Sequence, residues 1–250
     1  MDTASSPAQA LSGVLVVLLV DYVVQHRAWG WLRLAQGATF LKDTPGLLFA
    51  KVMGSGHNGG FSLRPSSSHQ GLICLFDTQQ HAEMFSQGPH IQAYQERSRE
   101  SWLGILHIDS ARGEWDRQRW GATTAACLDQ PLDEGLPTAA LTRASIRPAK
   151  SMAFWRHAPA SQASLSQSSG CLLAMGLGEA PLIRQCTFSV WRDTSSMLNY
   201  AHQGAHQQAI QAAYKHDFFS ESLFVRMRVL SMQGLWQGQR FDQTQEKAHA

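Results

Sequence analysis

The sequence predicts an α+β protein in which one β-α-β-β-α-β unit occurs twice in tandem. The first observation is an internal repeat. Asp77-Thr78 is followed by Gln87-Gly88, His90 and Gln92-Ala93; Asp193-Thr194 is followed by Gln203-Gly204, His206 and Gln208-Ala209, and each of the seven identities lies 116 residues from its mate. The second is a further matched pair, Met53-Gly54-Ser55-Gly56 and Met175-Gly176-Leu177-Gly178, 122 residues apart. A period of this length marks a duplicated domain rather than a solenoid. The third is that both halves alternate short apolar runs with helical patterns in the same order. The unit with that order is the ferredoxin-like, split-βαβ fold. Two such units, sheet facing sheet, form a pseudo-dimeric α/β barrel, with a cavity between them as the expected ligand site.

Each element has its own signal. Val14–Val24 is apolar, β-branched and too short for a membrane span, so it reads as a buried strand. No basic residue precedes it, which disfavours a signal peptide. A helix runs through Trp29-Gly30-Trp31-Leu32-Arg33-Leu34, followed by a strand near Leu47–Met53 and a Gly-rich turn. A strand at Gly71–Phe76, helical segments from Thr78 to Trp102 and a strand at Leu103–Ile108 complete the first lobe, residues 11–111. Residues 112–138 read as a linker. The second lobe, residues 139–238, repeats the order: a strand at Ala140–Arg147, a helix from Ser151, strands at Leu172–Gly176 and Leu182–Trp191, helices from Thr194 to Phe219, and a strand at Leu223–Leu230. Asp77 and Asp193 stand where helix N-caps belong. Gly88 and Gly204 break each helical region at the same place. Both Gly-x-Gly motifs lack the Lys-Ser/Thr of a phosphate-binding loop and read as tight turns.

Composition limits the function. A formal net charge of +2 gives no basis for nucleic-acid binding. Cys74, Cys127, Cys171 and Cys186 form no CxxC pair, which argues against a cysteine-built metal centre and suits a reducing cytoplasm.

Four blocks carry a more specific message: Thr44-Pro45-Gly46-Leu47-Leu48-Phe49-Ala50-Lys51-Val52-Met53-Gly54-Ser55-Gly56; Leu141-Thr142-Arg143-Ala144-Ser145-Ile146-Arg147-Pro148 with Phe154-Trp155; Gly176-Leu177-Gly178-Glu179-Ala180-Pro181 running into Thr187-Phe188-Ser189-Val190-Trp191; and His206-Gln207-Gln208-Ala209-Ile210 with Phe219-Ser220-Glu221-Ser222-Leu223-Phe224. Together they resemble the spheroidene monooxygenase (acyclic carotenoid 2-ketolase) family over nearly the whole chain. The resemblance implies a haem-dependent monooxygenase that oxidises C-2 of a linear carotenoid with dioxygen and electrons from ferredoxin. It implies an apolar, carotenoid-like substrate and a cytoplasmic protein, or one peripheral at the inner membrane.

A haem iron needs an axial ligand, most often a neutral imidazole. His206 lies both in a family-like block and at the start of a helix, so it is the metal-ligand candidate; His157 and His202 are weaker ones. The plainer reading is that His206 caps or packs at a helix start. Arg143 and Arg147 alternate on one strand and are the candidates for the haem propionates. A solvated strand face or ion pairs are the alternative, and Lys51, Arg184 and Arg226 share it. The tryptophans line an apolar channel or fill the core. Trp29-Gly30-Trp31-Leu32-Arg33 is the candidate membrane contact. The competing functions are a cofactor-free monooxygenase or a non-catalytic ligand-binding protein of the same fold.

Overall fold

The computed structural model describes residues 10–60, 62, 64–128, 135–156, 165, 168–180, 182–202 and 204–244. The chain forms β1 (Val14–Tyr22), α1 (Arg27–Gln36), β2 (Leu47–Gly56), β3 (Pro65–Phe76), α2 (Gln79–Ser86), α3 (Pro89–Gln95), β4 (Ser98–Trp115) and β5 (Gln118–Arg119). It continues with β6 (Thr138–Ile146), α4 (Ser151–Trp155), β7 (Cys171–Ala180), β8 (Arg184–Trp191), α5 (Thr194–Ala201), α6 (Gly204–Lys215), β9 (Phe219–Trp236) and β10 (Gln239–Thr244). All strand pairings in the sheet are antiparallel, in the order β10-β9-β6-β8-β7-β2-β3-β1-β4-β5. A further pairing of β4 with β9, from Ser101↔Leu235 to Gly113↔Leu223, closes eight strands into a barrel. The first half is ordered β2-β3-β1-β4 and the second β7-β8-β6-β9. The opposite seam is narrow: β2 meets β7 through Gly54↔Gly178, with the Ser55 hydroxyl donating to the Gly176 carbonyl.

Period-2 alternation divides the side chains between two layers. On β1, Leu15, Val17 and Leu19 point into the barrel, while Val14, Val16, Leu18, Val20 and Tyr22 meet the helices outside. Burial on both faces is why this strand reads as one continuous apolar run. The barrel interior is filled: Trp102, Trp115, Phe188, Met227 and Trp236 belong to one buried cluster with Leu15 and Val17. Gly104 makes room for Trp102, whose ring would lie 2.3 Å from a Cβ at that position. The cavity expected between the halves is therefore occupied by large side chains of this chain.

Several local expectations change. Both Gly-x-Gly motifs lie within strands, at the end of β2 and in the middle of β7, and the tight turn falls at His57–Gly59, where Asn58 and Gly59 take positive φ. Glycine suits the narrow seam because two strand backbones approach there without side chains between them. The cap of α2 is Thr78, not Asp77: the Thr78 hydroxyl accepts from the His81 amide, and Asp77 instead bonds the His81 ring. Asp193 caps α5 as expected, accepting from the Ser196 amide at 2.7 Å. β4 and β9 are each 18 residues long, well beyond the expected strands, because each pairs across the closure as well as within its half. β4 runs on to Trp115 and turns into β5 through Asp116 and Arg117, both with positive φ, as a tight two-residue hairpin requires.

Candidate functional site

The barrel has two polar ends. At one, inward-facing positions of β2, β6, β7 and β9 bring together Lys51, Arg143, Glu179 and Glu221 beneath the β4–β5 hairpin. Arg143 is 1% exposed. Its Nε donates to Glu179 at 3.2 Å, its Nη1 donates to Glu221, and its Nη2 lies 3.7 Å from Asp116. The guanidinium stands 5.6 Å from the centre of the Trp115 ring, whose Nε1 donates to Glu179 at 3.0 Å. Lys51 pairs with Asp116 and, at 3.2 Å, with Glu179, while Arg184 lies 3.8 Å from Glu179. Burial by itself raises the Asp116 pKa. The Lys51 hydrogen bond and the charges of Lys51, Arg143 and Arg184 outweigh it and hold the carboxyl below its ordinary value. Three cations and three carboxylates thus neutralise one another; Arg143, Glu179 and Glu221 are largely buried, where ionised groups persist only when paired, while Lys51, Asp116 and Arg184 reach solvent. Beside them opens a cleft of about 560 Å³, lined by Arg119, Trp120, Phe219 and Glu221 among others.

At the other end, Asp21 and His69 face each other across β1 and β3. Asp21 is buried and bonds Arg99; its second oxygen lies 3.6 Å from His69 Nδ1. The Ser66 and Ser68 hydroxyls lie 3.0 and 3.2 Å from the same nitrogen, and the imidazole meets Trp236 edge-on at 5.9 Å. Burial pushes the His69 pKa down, opposed in part by Asp21.

The residues singled out from sequence separate accordingly. Arg143 lies inside the barrel in ion pairs. Arg147 lies just beyond β6, where its amide donates to Phe218 and its half-exposed guanidinium pairs with Asp217 at 3.1 Å. The two arginines do not converge, because the strand ends between them. His202 is the exposed C-cap of α5. His206 is the third residue of α6, with its side chain outside the described part of the structure; His157 also lies outside the described residues. His90, the repeat mate of His206, packs on Phe40 at 5.5 Å, and burial, with Arg33 nearby, pushes its pKa down. Arg226 is exposed. Trp102 and Trp191 fill the core, while Trp31 is exposed. Sequence reading missed the Asp21–His69 pair; a polar residue at the inward parity of an otherwise apolar strand was its one signal. Among the described residues, no three His, Cys, Asp or Glu side chains are placed to share a metal ion, and no helix is long and apolar enough to cross a membrane. A single-ligand cofactor such as haem needs only one of the histidines near the α5–α6 break. The packed barrel interior does not fit it.

Comparison with known proteins bears on the chemistry. No family model matches the chain. It is 45% identical over 242 residues to spheroidene monooxygenase of Rubrivivax gelatinosus, covering 96% of this chain and 91% of that protein. It is 33% identical to the enzyme of the same name from Rhodobacter capsulatus over 200 residues, covering 79% and 82%. Among solved structures, an aldoxime dehydratase aligns with a TM-score of 0.55 at 9% identity, covering 86% of this chain and 81% of that one, a likeness of fold alone.

Proposed function

Because the chain belongs to the spheroidene monooxygenase family, we propose that it is a haem-dependent monooxygenase oxidising a long apolar substrate, C-2 of a linear carotenoid such as spheroidene, with electrons from a donor such as reduced ferredoxin. The observation that carries this reading is 45% identity sustained over 96% of the chain. Two successive hydroxylations at one methylene would give a gem-diol that loses water to a ketone, and the sequence consumes two dioxygens, four electrons and four protons. Haem, when bound, supplies the activation of dioxygen.

The same strand order in both halves, with the 116-residue repeat, supports reading the barrel as two ferredoxin-like units in which His90 and His206 are equivalent. In that reading the second copy keeps the ligand, His206, next to the α5–α6 break. Because the barrel interior between the halves, the expected site, is packed, this reading puts the haem beside His206 on the outer face of the second half. Of the two arginines, Arg147 is half-exposed and answers one exposed carboxylate, Asp217, whereas Arg143 is enclosed by three.

Purified protein given haemin tests this. A Soret band that is abolished or strongly shifted in His206→Ala supports the assignment. A band untouched by that change moves it to His202 or His157. Carotenoid oxidation by colourless protein that takes up no haemin would make it a cofactor-free monooxygenase. Substrate binding without oxidation would make it a ligand-binding protein.

A further inference from the structure

The helix α1 turns an apolar face to the solvent. At 100° per residue, Ala28, Trp31, Leu32 and Ala35 share one side, and Gly30, Arg33 and Leu34 the other. A surface helix ordinarily buries the apolar side. Here Ala28, Trp31, Leu32 and Ala35 are exposed, Trp31 by 46% and Leu32 by 55%, and Val24, one turn earlier, is exposed by 69%. The rotation of the helix is held from beneath. Gly30 sits on the Tyr22 ring, which would lie 2.3 Å from a Cβ there. Trp29 packs edge-on against Tyr22 at 5.9 Å and Tyr94 at 4.9 Å. Trp31 therefore cannot turn inward without expelling Trp29.

The flanks behind this stripe are basic. Arg33 lies over Trp29 at 4.9 Å and Phe40 at 4.4 Å, Arg97 lies 4.9 Å from Trp29, and Arg27 opens the helix. The helix contains no acidic residue. Among the described residues no carboxylate pairs with Arg27 or Arg33, and the nearest acidic contact is Glu96 on Arg97 at 3.5 Å. An exposed tryptophan and leucine beside Arg27 and Arg33, which have no carboxylate partner among the described residues, match an anionic lipid surface: the apolar stripe enters the acyl boundary and the arginines reach for phosphate. A second copy of the chain fits less well, since a two-fold contact brings the same arginines against themselves.

We infer that Val24 and the Ala28–Trp31–Leu32–Ala35 face of α1 dock the protein on an anionic bilayer. The inference rests on the carotenoid reading, which supplies a lipid-borne substrate. It is tested by flotation of the full chain with phosphatidylcholine vesicles with and without about 30% phosphatidylglycerol. Wild type is expected to float with the anionic vesicles only, less so in high salt. The double variant Trp31→Ser, Leu32→Ser, both positions being exposed, should keep its circular dichroism and lose partitioning by about tenfold or more. Folded variant floating like wild type overturns the inference, as does wild type that stays at the bottom of the gradient. So does a double variant that changes only a concentration-dependent oligomeric state, which would assign the face to a second copy. Oxidation of detergent-dispersed carotenoid by a protein that does not float would overturn the docking and leave the proposed function standing. Flotation without any oxidation would do the reverse.

Discussion

Replacing Arg143 by Met should cost the fold far more than replacing an ordinary surface arginine. The guanidinium is 1% exposed and answers Glu221, Glu179 and Asp116. After the change Glu179 keeps Lys51 at 3.2 Å, Arg184 at 3.8 Å and the Trp115 indole. Glu221, by contrast, keeps only the Arg117 amide at 2.8 Å among the contacts described. Breaking a buried pair from one side costs about 3–5 kcal/mol, because it strands the remaining charge. At about 2–4 °C per kcal/mol for a chain of this size, Tm should fall by about 6–20 °C. Urea unfolding of wild type, Arg143→Met, Glu221→Gln and the double variant gives the coupling directly. The double variant should recover part of the loss, with an interaction energy of about 1–3 kcal/mol. A loss under about 1 kcal/mol, the range of an exposed pair, would refute the buried network. Unchanged stability with loss of a haem spectrum would instead restore Arg143 to the cofactor.

Two groups make stability depend on pH. The Asp193 carboxylate is drawn down to about 2 by the Ser196 amide it caps. A depressed carboxylate stabilises the fold above its unfolded pKa of about 3.9 and loses that effect as pH falls through the folded value, so Asp193→Ala should be less stable than wild type at neutral pH and converge with it near pH 2. His69 has its pKa lowered by burial. Below the unfolded value of about 6.5 the unfolded chain takes up a proton that the folded one resists, so stability falls with acidification. His69→Gln should flatten that fall in urea titrations run across this range, and an unchanged slope would remove His69 as its source.

The alternation of strands and helices, the α5 cap at Asp193 and the breaks at Gly88 and Gly204 were legible because each rests on residues close in sequence. The one-residue slip from Asp77 to Thr78 reflects two adjacent residues that both make good caps. The Gly-x-Gly motifs misled because glycine serves a turn and a close strand seam equally well. The polar ends of the barrel were not legible. Lys51, Arg143, Glu179 and Glu221 are scattered over most of the chain, on β2, β6, β7 and β9, and become neighbours only when β6 pairs with β9 and β7 meets β2 in the rolled sheet. The same parity rule that buried Leu141 also buried Arg143, yet alternation alone does not say whether a face meets solvent, a ligand or three carboxylates. Arg147 obeyed that parity on paper, but β6 ends at Ile146.

Oxygen insertion into a carotenoid is followed with isotopically labelled dioxygen. Purified protein, haemin, a reducing system and spheroidene are incubated under the labelled gas, and the product is weighed by mass spectrometry. A 2-keto product carrying one labelled oxygen is expected, since both hydroxyls of the gem-diol come from dioxygen. Product whose oxygen comes from water, with a control excluding exchange, or no product from protein that has taken up haemin and binds the substrate, would contradict it.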